Sequence, residues 1–477
     1  MHQAIPTASL HHAFTNTLRL PVIIAVLLLH TVAAGQCWDH VSIGMRHSVG
    51  VQVDGTLWTW GWNDVGQLGN GTNTPVNIPQ QVGFDSDWVL AVAAGSFDVV
   101  LNTNGKHTAA IKANGTLWTW GGNDHGQLGD GTLVDRNSPA QVGTDTWVAV
   151  QCGALHTVAL RSDSTLWAWG YNTYGQLGLG NLVEVHTPTQ VGTDTDWWQI
   201  VSTDMHCLAL KSDSSLWSWG LNNYYQLGFF NDNQNKVVPT HVGSATNWRS
   251  IATGRYFSFA VKGNNTLWGW GSNDSGQLGL GVVAGYHPVP QQIGTGTMWE
   301  AVACGDAHTL AQRTDGSLWG WGFNYFGQLG LNNNTWNYLS PQSLPNGVGS
   351  SAVSAGYYSS GSLRADSSLW TWGGNDHGNL GVGDMLQREV PTAVVCTFTT
   401  AVPEGSLPML KAYPMPTEAL LFLNRTVDAL WLYDLHGRSL LTLQSTDRLD
   451  LTGVQAGTYL LHARVNGQVV HVRVMKR

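Results

Sequence analysis

Five histidines, His47, His107, His156, His206 and His308, stand at the same point of a repeat of about fifty residues. Imidazoles in equivalent positions are what a metal ring would be built from. A metal, however, needs three or four ligands converging at about 2 Å on one ion. Equivalent positions in successive repeats stand much farther apart unless they line an axis. Phe257 and Ser359 fill the same register in the two other copies, and a phenyl ring has no lone pair to give. The histidines therefore read as structural, and no metal or other cofactor is expected. Isolated carboxylates such as Asp98, Asp204, Asp306 and Glu300 cannot be paired into an acid/base couple from sequence. No nucleophile elbow, zinc motif, P-loop or dinucleotide fingerprint occurs.

The five cysteines divide by position. Cys152 and Cys304 each precede the first Trp of a Leu-Trp-x-Trp-Gly line by fifteen residues, where other copies place Thr253 or Ala355. Cys207 takes a slot that is Thr157 or Thr309 elsewhere. These three read as inert core thiols. Cys37 and Cys396 flank the array, one just before the first repeat and one just after the last. If the array closes into a ring its ends meet, and a Cys37–Cys396 disulfide would close a very long loop.

The elements that position these groups follow from one line, LWTWGWNDVGQLG at Leu57–Gly69, which returns at Leu117, Leu166, Leu216, Leu267, Leu318 and Leu369. A fixed period near fifty residues marks a repeat architecture. Each unit holds four short segments. They are Trp-x-x-Val/Ile (Trp147–Val150), an alternating HTVAL stretch (His156–Leu160), the Trp line, and an extended piece after Pro (Pro139–Val142). A turn with Asp or Asn joins the second to the third in every copy, among them Asp54, Asn114, Asp163 and Asp213. Asp-Gly and its relatives supply the positive backbone angles of tight hairpins. The unit is four antiparallel strands. An open solenoid needs polar end caps, yet the first and last copies read as hydrophobic as the middle ones. The expectation is an all-β chain with a seven-bladed β-propeller over 36–397. The paired Trp residues of each line lie on one strand face and are expected between blades. The recurring Asn63, Asn123, Asn172, Asn222, Asn273, Asn324 and Asn375 are expected to tie their own loops.

Composition and the two ends bound the function. Charged residues make up 11% and the net charge is −9, with no Lys/Arg run. Nucleic-acid binding needs a basic footprint, so it is excluded from the expected partners. Arg19, the apolar run Leu20–Leu29 and the small residues Ala33, Ala34 and Gly35 form a signal peptide over 1–35. The run is too short to span a bilayer, so no membrane span is expected after its removal.

The line Leu-Trp-x-Trp-Gly-x-Asn-x-x-Gly-Gln-Leu-Gly, with His-Thr upstream, resembles the regulator of chromosome condensation repeat. The likeness covers all seven copies and implies a seven-bladed propeller. Members of that family include guanine-nucleotide exchange factors for a small GTPase, a role that export and the missing basic footprint argue against. A secreted member that inhibits β-lactamase shows the fold used for binding alone.

After a linker at 398–408 the composition shifts. Residues 409–477 contain YPMPT, LYDLHGRSL and a Gly-x-Tyr strand, and end on Lys476 and Arg477. Alternating apolar residues between Gly turns suggest a small Ig-like β-sandwich. This tail is similar to the C-terminal sorting domain of the type IX secretion system of Bacteroidetes. The residues that carry the likeness are Tyr413, Pro414, Pro416, Tyr433, Asp434, Gly437, Arg438, Gly457, Tyr459, Lys476 and Arg477. Met415 departs from the Asn usual in that opening. The resemblance implies secretion or display on the outer cell surface, with the secretion machinery as partner of the tail.

Residues shared by seven copies are explained by the fold, so function is sought where the copies differ. The loop of the Trp line carries Trp62, Tyr171, Tyr174, Tyr224, Tyr225, Phe323, Tyr325 and Phe326 in copies one, three, four and six. Aromatics clustered at one end of a propeller can stack on sugars or anchor a protein. The second copy also carries an insertion, Ser96–Gly105, expected as a projecting hairpin. The expected role is a binding module for an unidentified extracellular protein or glycan. A polysaccharide hydrolase or lyase is the alternative. Nucleotide exchange is a third reading, by family name only.

Overall fold

The computed structural model describes residues 37–95, 97–98, 103–283, 285–345, 347, 349–396, 412–413, 420–434, 439–455, 457–465 and 468–476. The expected leader, the linker, and Pro414, Pro416, Gly437, Arg438 and Arg477 lie outside the described residues. The chain divides into two compact units, Met1–Thr397 and Phe398–Arg477.

The first unit holds seven four-stranded antiparallel sheets, each built from consecutive strands of one repeat. In blade one these are Trp38–Ile43, His47–Gln52, Leu57–Gly61 and Val76–Gln81. The first strands of all seven blades line a central cavity of about 260 Å³ and meet their neighbours around a closed ring. Between the second and third strands, the Asp or Asn accepts from the residue two positions on, as from Thr56 to Asp54 at 3.0 Å. Only the residue after it takes a positive φ, +81° at Gly55 and +63° at Ser164. The turn needs one left-handed residue rather than two, which is why Ser and Asn serve as well as Gly.

The blades are held together by the same bonds in every copy. The second Trp of each line is fully buried. Its Nε1 donates at 2.9 Å to a main-chain carbonyl of the preceding blade, as from Trp120 to Gln67 and from Trp219 to Gln176. The glycine that closes each line lies flat on that indole. A Cβ on Gly69 would stand 2.6 Å from Trp120 Nε1, so only glycine fits. Each indole removes roughly 150–250 Å² from water, about 4–6 kcal/mol of gross burial at ~25 cal/mol/Å². In six of the seven lines the first Trp packs beneath a cation instead, as Trp167 does under the Arg161 guanidinium at 3.4 Å, and blade one has Gln52 in the cation's place.

The histidines belong to this lattice. His47 Nε2 reaches Thr108 Oγ1 at 2.9 Å, and His107, His206 and His308 reach Thr157, Ser258 and Ser360 in the next blade. Each of these hydroxyls donates onward to a Gln carbonyl, for example Thr108 to Gln67 at 2.8 Å. Nε2 must therefore carry the proton and donate, and burial, which lowers the pKa of each of these rings, keeps them neutral. Where blade four has Cys207 in place of the hydroxyl, His156 turns to Ser202 at 3.0 Å. The bonds run one to one, from ring to hydroxyl. Among the described residues no three His, Cys, Asp or Glu side chains converge as a metal set.

The expectation of equal hydrophobicity in all copies fails at blade seven. Ser350 replaces the Trp that opens every other blade, and the strand Ser359–Arg364 reads SSGSLR. Blade seven is also the closing blade, and no sheet is shared between the two ends of the array. The seam is made by a Cys37–Cys396 disulfide, by Trp38 N donating to Ser367 O at 2.9 Å, and by Trp60 and Ser48 donating to the Asn379 carbonyl. Cys152, Cys207 and Cys304 are free, buried thiols.

The second unit is a five-stranded antiparallel sheet of Ala412–Tyr413, Leu420–Asp434, Ser439–Asp450, Gly457–Val465 and Gln468–Lys476. Strand pairing gives this one sheet, coarser than the two-sheet sandwich expected from sequence. The 15-residue second strand shifts register between Phe422 and Val427. Leu421, Leu430, Leu432, Leu449, Leu461 and Val474 form its core. Tyr459 is buried there, with its hydroxyl donating to Gln455 O at 2.6 Å, and Lys476 Nζ donates to Val454 O.

Candidate binding face

Antiparallel order puts the loop after each third strand and the turn between first and second strands at the same end of the blade. Main-chain bonds join the two, as from Tyr171 N to Leu155 O and from Phe323 N to Ala307 O, both at 2.9 Å. The buried Asn holds each loop from inside. Asn172 Oδ1 accepts from Leu177 N at 3.0 Å and its Nδ2 donates to Val183 O at 2.9 Å. Tyr174 N is fixed by Gln176 Oε1 at 2.9 Å. The loops are thus preorganised presenters of whatever side chains they carry.

The eight aromatics expected on this rim fall into three groups. Trp62 packs edge-on against His377 at 4.3 Å, with Arg46 over its ring. Tyr171 and Tyr174 pack on each other within a cluster with Leu221; Tyr171, on His125, is only 7% exposed and serves the core, and Tyr174 is partly buried against it. Tyr224, Tyr225, Phe323, Tyr325 and Phe326 join two aromatic clusters, one on blades four and five and one on blades six and seven. In the first, Tyr286 meets Tyr224, which stacks on Tyr256 at 4.4 Å. In the second, Tyr358 stacks on Phe326 at 4.6 Å, and Tyr325 meets Trp336 at 5.4 Å.

A buried ion cluster joins the two halves. Arg255 lies over Tyr256 at 4.9 Å, its Nη1 donates to Asp306 Oδ1 at 3.2 Å, and its Nε stands 4.0 Å from Asp204 Oδ2. Asp306 N donates to the Tyr357 carbonyl, and the Tyr357 ring packs on Tyr358 at 4.1 Å. Burial pushes Asp306 up to about 6 despite the guanidinium, and burial pushes Tyr256 up to about 12. Desolvation works against the charge on Arg255, but the carboxylates of Asp306 and Asp204 hold it above its ordinary value. Both carboxylates are thus committed to one guanidinium. Glu300 is elsewhere, paired to Arg249 at 2.7 Å near the opposite ends of the first strands. The Asp98 side chain lies outside the described residues. Of the insertion, Phe97–Asp98 pairs with Thr103–Asn104 as a short hairpin.

Tyr225 is the outlier of this face. Six copies place a glycine at its position, with φ near +75° as at Gly126 (+73°) and Gly175 (+78°). Tyr225 holds φ +61° there, a conformation costing about 1–2 kcal/mol for a residue with a Cβ. Its ring reaches Tyr286 at 6.1 Å.

Tyr256, Tyr286, Trp336, Tyr357, Tyr358, Arg255 and the Asp204–Asp306 pairing were not found from sequence as part of the rim. A signal was present. The turns TDM, GRY, GDA and GYY at 203–205, 254–256, 305–307 and 356–358 differ between copies as strongly as the Trp-line loops do.

A family profile described as RCC1-like domain matches residues 97–406, and one described as regulator of chromosome condensation (RCC1) repeat matches residues 54–101. The chain is 32% identical over 362 residues to the ultraviolet-B receptor UVR8 of Arabidopsis thaliana, covering 74% of this chain and 69% of that protein. It is 28% identical over 369 residues to the RCC1 domain-containing protein RUG3, mitochondrial, of the same plant, covering 76% and 70%. Among solved structures, Prp20p from Saccharomyces cerevisiae superposes with a TM-score of 0.64 at 22% identity, over 76% of this chain and 89% of that one. With seven four-stranded blades in a closed ring and this profile over most of its length, the chain belongs to the RCC1-like propeller family.

Proposed function

We propose that this protein is a secreted or cell-surface recognition module, whose propeller presents the face of blades four to seven to an extracellular protein or glycan. The observation that carries the reading is the pair of aromatic clusters around Arg255, built where the repeats diverge and including a strained Tyr225 that the fold itself does not need. Strain retained against an available glycine points to function. The relatives agree in kind. Prp20p was solved together with its binding properties to Gsp1p and histones, which is binding through the same fold. The role of binding is transferred here, and those partners are not.

Export is the second half of the proposal. The leader and the tail together read as passage by the type IX secretion route, with the tail as an Ig-like sorting domain. Deleting residues 409–477 should then leave the protein inside the cell envelope. Unchanged release would overturn the sorting role.

The binding reading is tested by passing a surface-protein extract and a polysaccharide panel over the immobilised full chain, with a Tyr224→Ala/Phe326→Ala variant as control. Retention lost in the variant supports it. Equal retention by both moves the site to the insertion at 96–105, and no retention by either overturns the role. The hydrolase reading has only the Asp204–Asp306 proximity in its favour, and turnover of any bound polysaccharide would revive it.

A further inference from the structure

We infer that the ligand of the blade four-to-seven face is an extended, neutral glycan chain. This rests on the recognition reading above and deepens it. The face has two aromatic platforms and a polar patch between them. Tyr286 at one end and Tyr325 with Trp336 at the other are 47%, 49% and 61% exposed. Between them Arg255, Asp204 and Asp306 are 12%, 2% and 11% exposed at the side chain, held by one another and by the turns. A sugar ring offers an apolar CH face for stacking and an equatorial rim of hydroxyls for planar hydrogen-bonding groups. Aromatic surface on both sides of the polar patch fits several linked residues rather than one.

The charges select among ligands. Two carboxylates against one guanidinium leave the cluster with an excess negative charge. A sulfated or carboxylated glycan would meet repulsion there. A basic peptide would need the same carboxylates and the same tyrosine face, and Arg255 already occupies both. A neutral chain can share hydrogen bonds with the exposed edges of Arg255 and Asp306 without displacing either, while Asp204 stays buried.

The test uses the full-length protein against neutral polysaccharides (a glucan, a mannan and a xylan), alginate as the anionic probe, and an arginine-rich peptide, each at low and high salt. The expected result is binding of a neutral polysaccharide that salt does not alter. Trp336→Ala and Tyr286→Ala should each weaken it about tenfold, equivalent to about 1.4 kcal/mol, at an unchanged melting temperature. Tyr325→Phe keeps the ring and should retain most of the affinity. Salt-sensitive binding of the peptide or of alginate, lost in the same variants, would overturn the neutral-glycan class while leaving the face as the binding site. Glycan binding indifferent to Trp336 and Tyr286 would overturn this site. No binding of any probe, with a surface protein retained instead, would overturn the glycan inference alone. Retention of nothing would overturn both readings.

Discussion

The contacts between blades and the contacts across the loop face use the same residue types to opposite ends. Between blades, every copy repeats one arrangement. A buried indole donates to a Gln or Asn carbonyl of the preceding blade, and five imidazoles donate to hydroxyls. On the face, the exposed aromatics gather in two clusters on blades four to seven, while blades two and seven carry the same Asn-Asp-His loop. Repetition marks what the ring needs to close. Departure from it, above all Tyr225 in a glycine's place, marks what the ring does not need. The closing seam lies between the two. It keeps the repeated Trp60 bond and its opening Trp38, and gains a disulfide. The Trp lost to Ser350 is missing one interface earlier, between blades six and seven.

The comparison can be broken most forcefully in the frame. Trp219→Ala removes a fully buried indole together with its bond to Gln176 O, and should cost about 3–5 kcal/mol of stability. Chemical denaturation reads this directly. A loss below about 1 kcal/mol would show that the lattice does not hold the blades. At the seam, Cys37→Ser/Cys396→Ser opens a loop with a sequence separation of 359 and should cost about 2–5 kcal/mol. Melting of the oxidised protein against the double variant tests it. The variant should respond to reductant no further.

The histidines sharpen the comparison through pH. Burial lowers His308 to about 3, and His47 to about 4, from an ordinary 6.5. A base depressed in the folded state gives stability that is whole above about pH 6.5 and is lost as pH falls toward the folded value. Each such group contributes a slope of up to about 1.4 kcal/mol per pH unit in that window. His308→Phe copies what blade five already does at Phe257, next to a glycine at the equivalent place. The variant should show a shallower loss of stability between pH 6 and 4, read as denaturation midpoint against pH. An unchanged slope would mean His308 is not neutral in the fold. Asp306, raised to about 6, acts oppositely and loses its contribution as pH rises through about 4 to 6, so the two are separable by variant. The smallest effect has the opposite sign. Tyr225→Gly relieves the positive φ and should raise stability by up to about 1 kcal/mol while weakening ligand retention. A loss of stability would show that the ring repays the strain by packing alone.

Much of the frame was legible because its causes are local. Alternation, turn chemistry and a Trp line written seven times dictate four-stranded units. The Asn of every line and the Gln of six announce loops tied by their own side chains. The face was half legible. Its loop aromatics could be named, but Tyr171 proved to be core, since its burial against His125 depends on how blades two and three abut. The turn residues Arg255, Asp306 and Tyr358 lie 51–52 positions apart along the chain, and nothing local pairs them.

By itself, then, the sequence determined the number of blades, their strand order and the residues that pack them, because each follows from a period repeated within fifty residues. The tertiary structure decided the rest. It set which cysteines meet at the seam, which aromatics reach the surface, and that Asp204, Arg255 and Asp306 from three blades form one cluster. It also gathered the tail into one sheet. These are juxtapositions of residues far apart in the chain, and ring closure fixes the angle at which each blade meets the next.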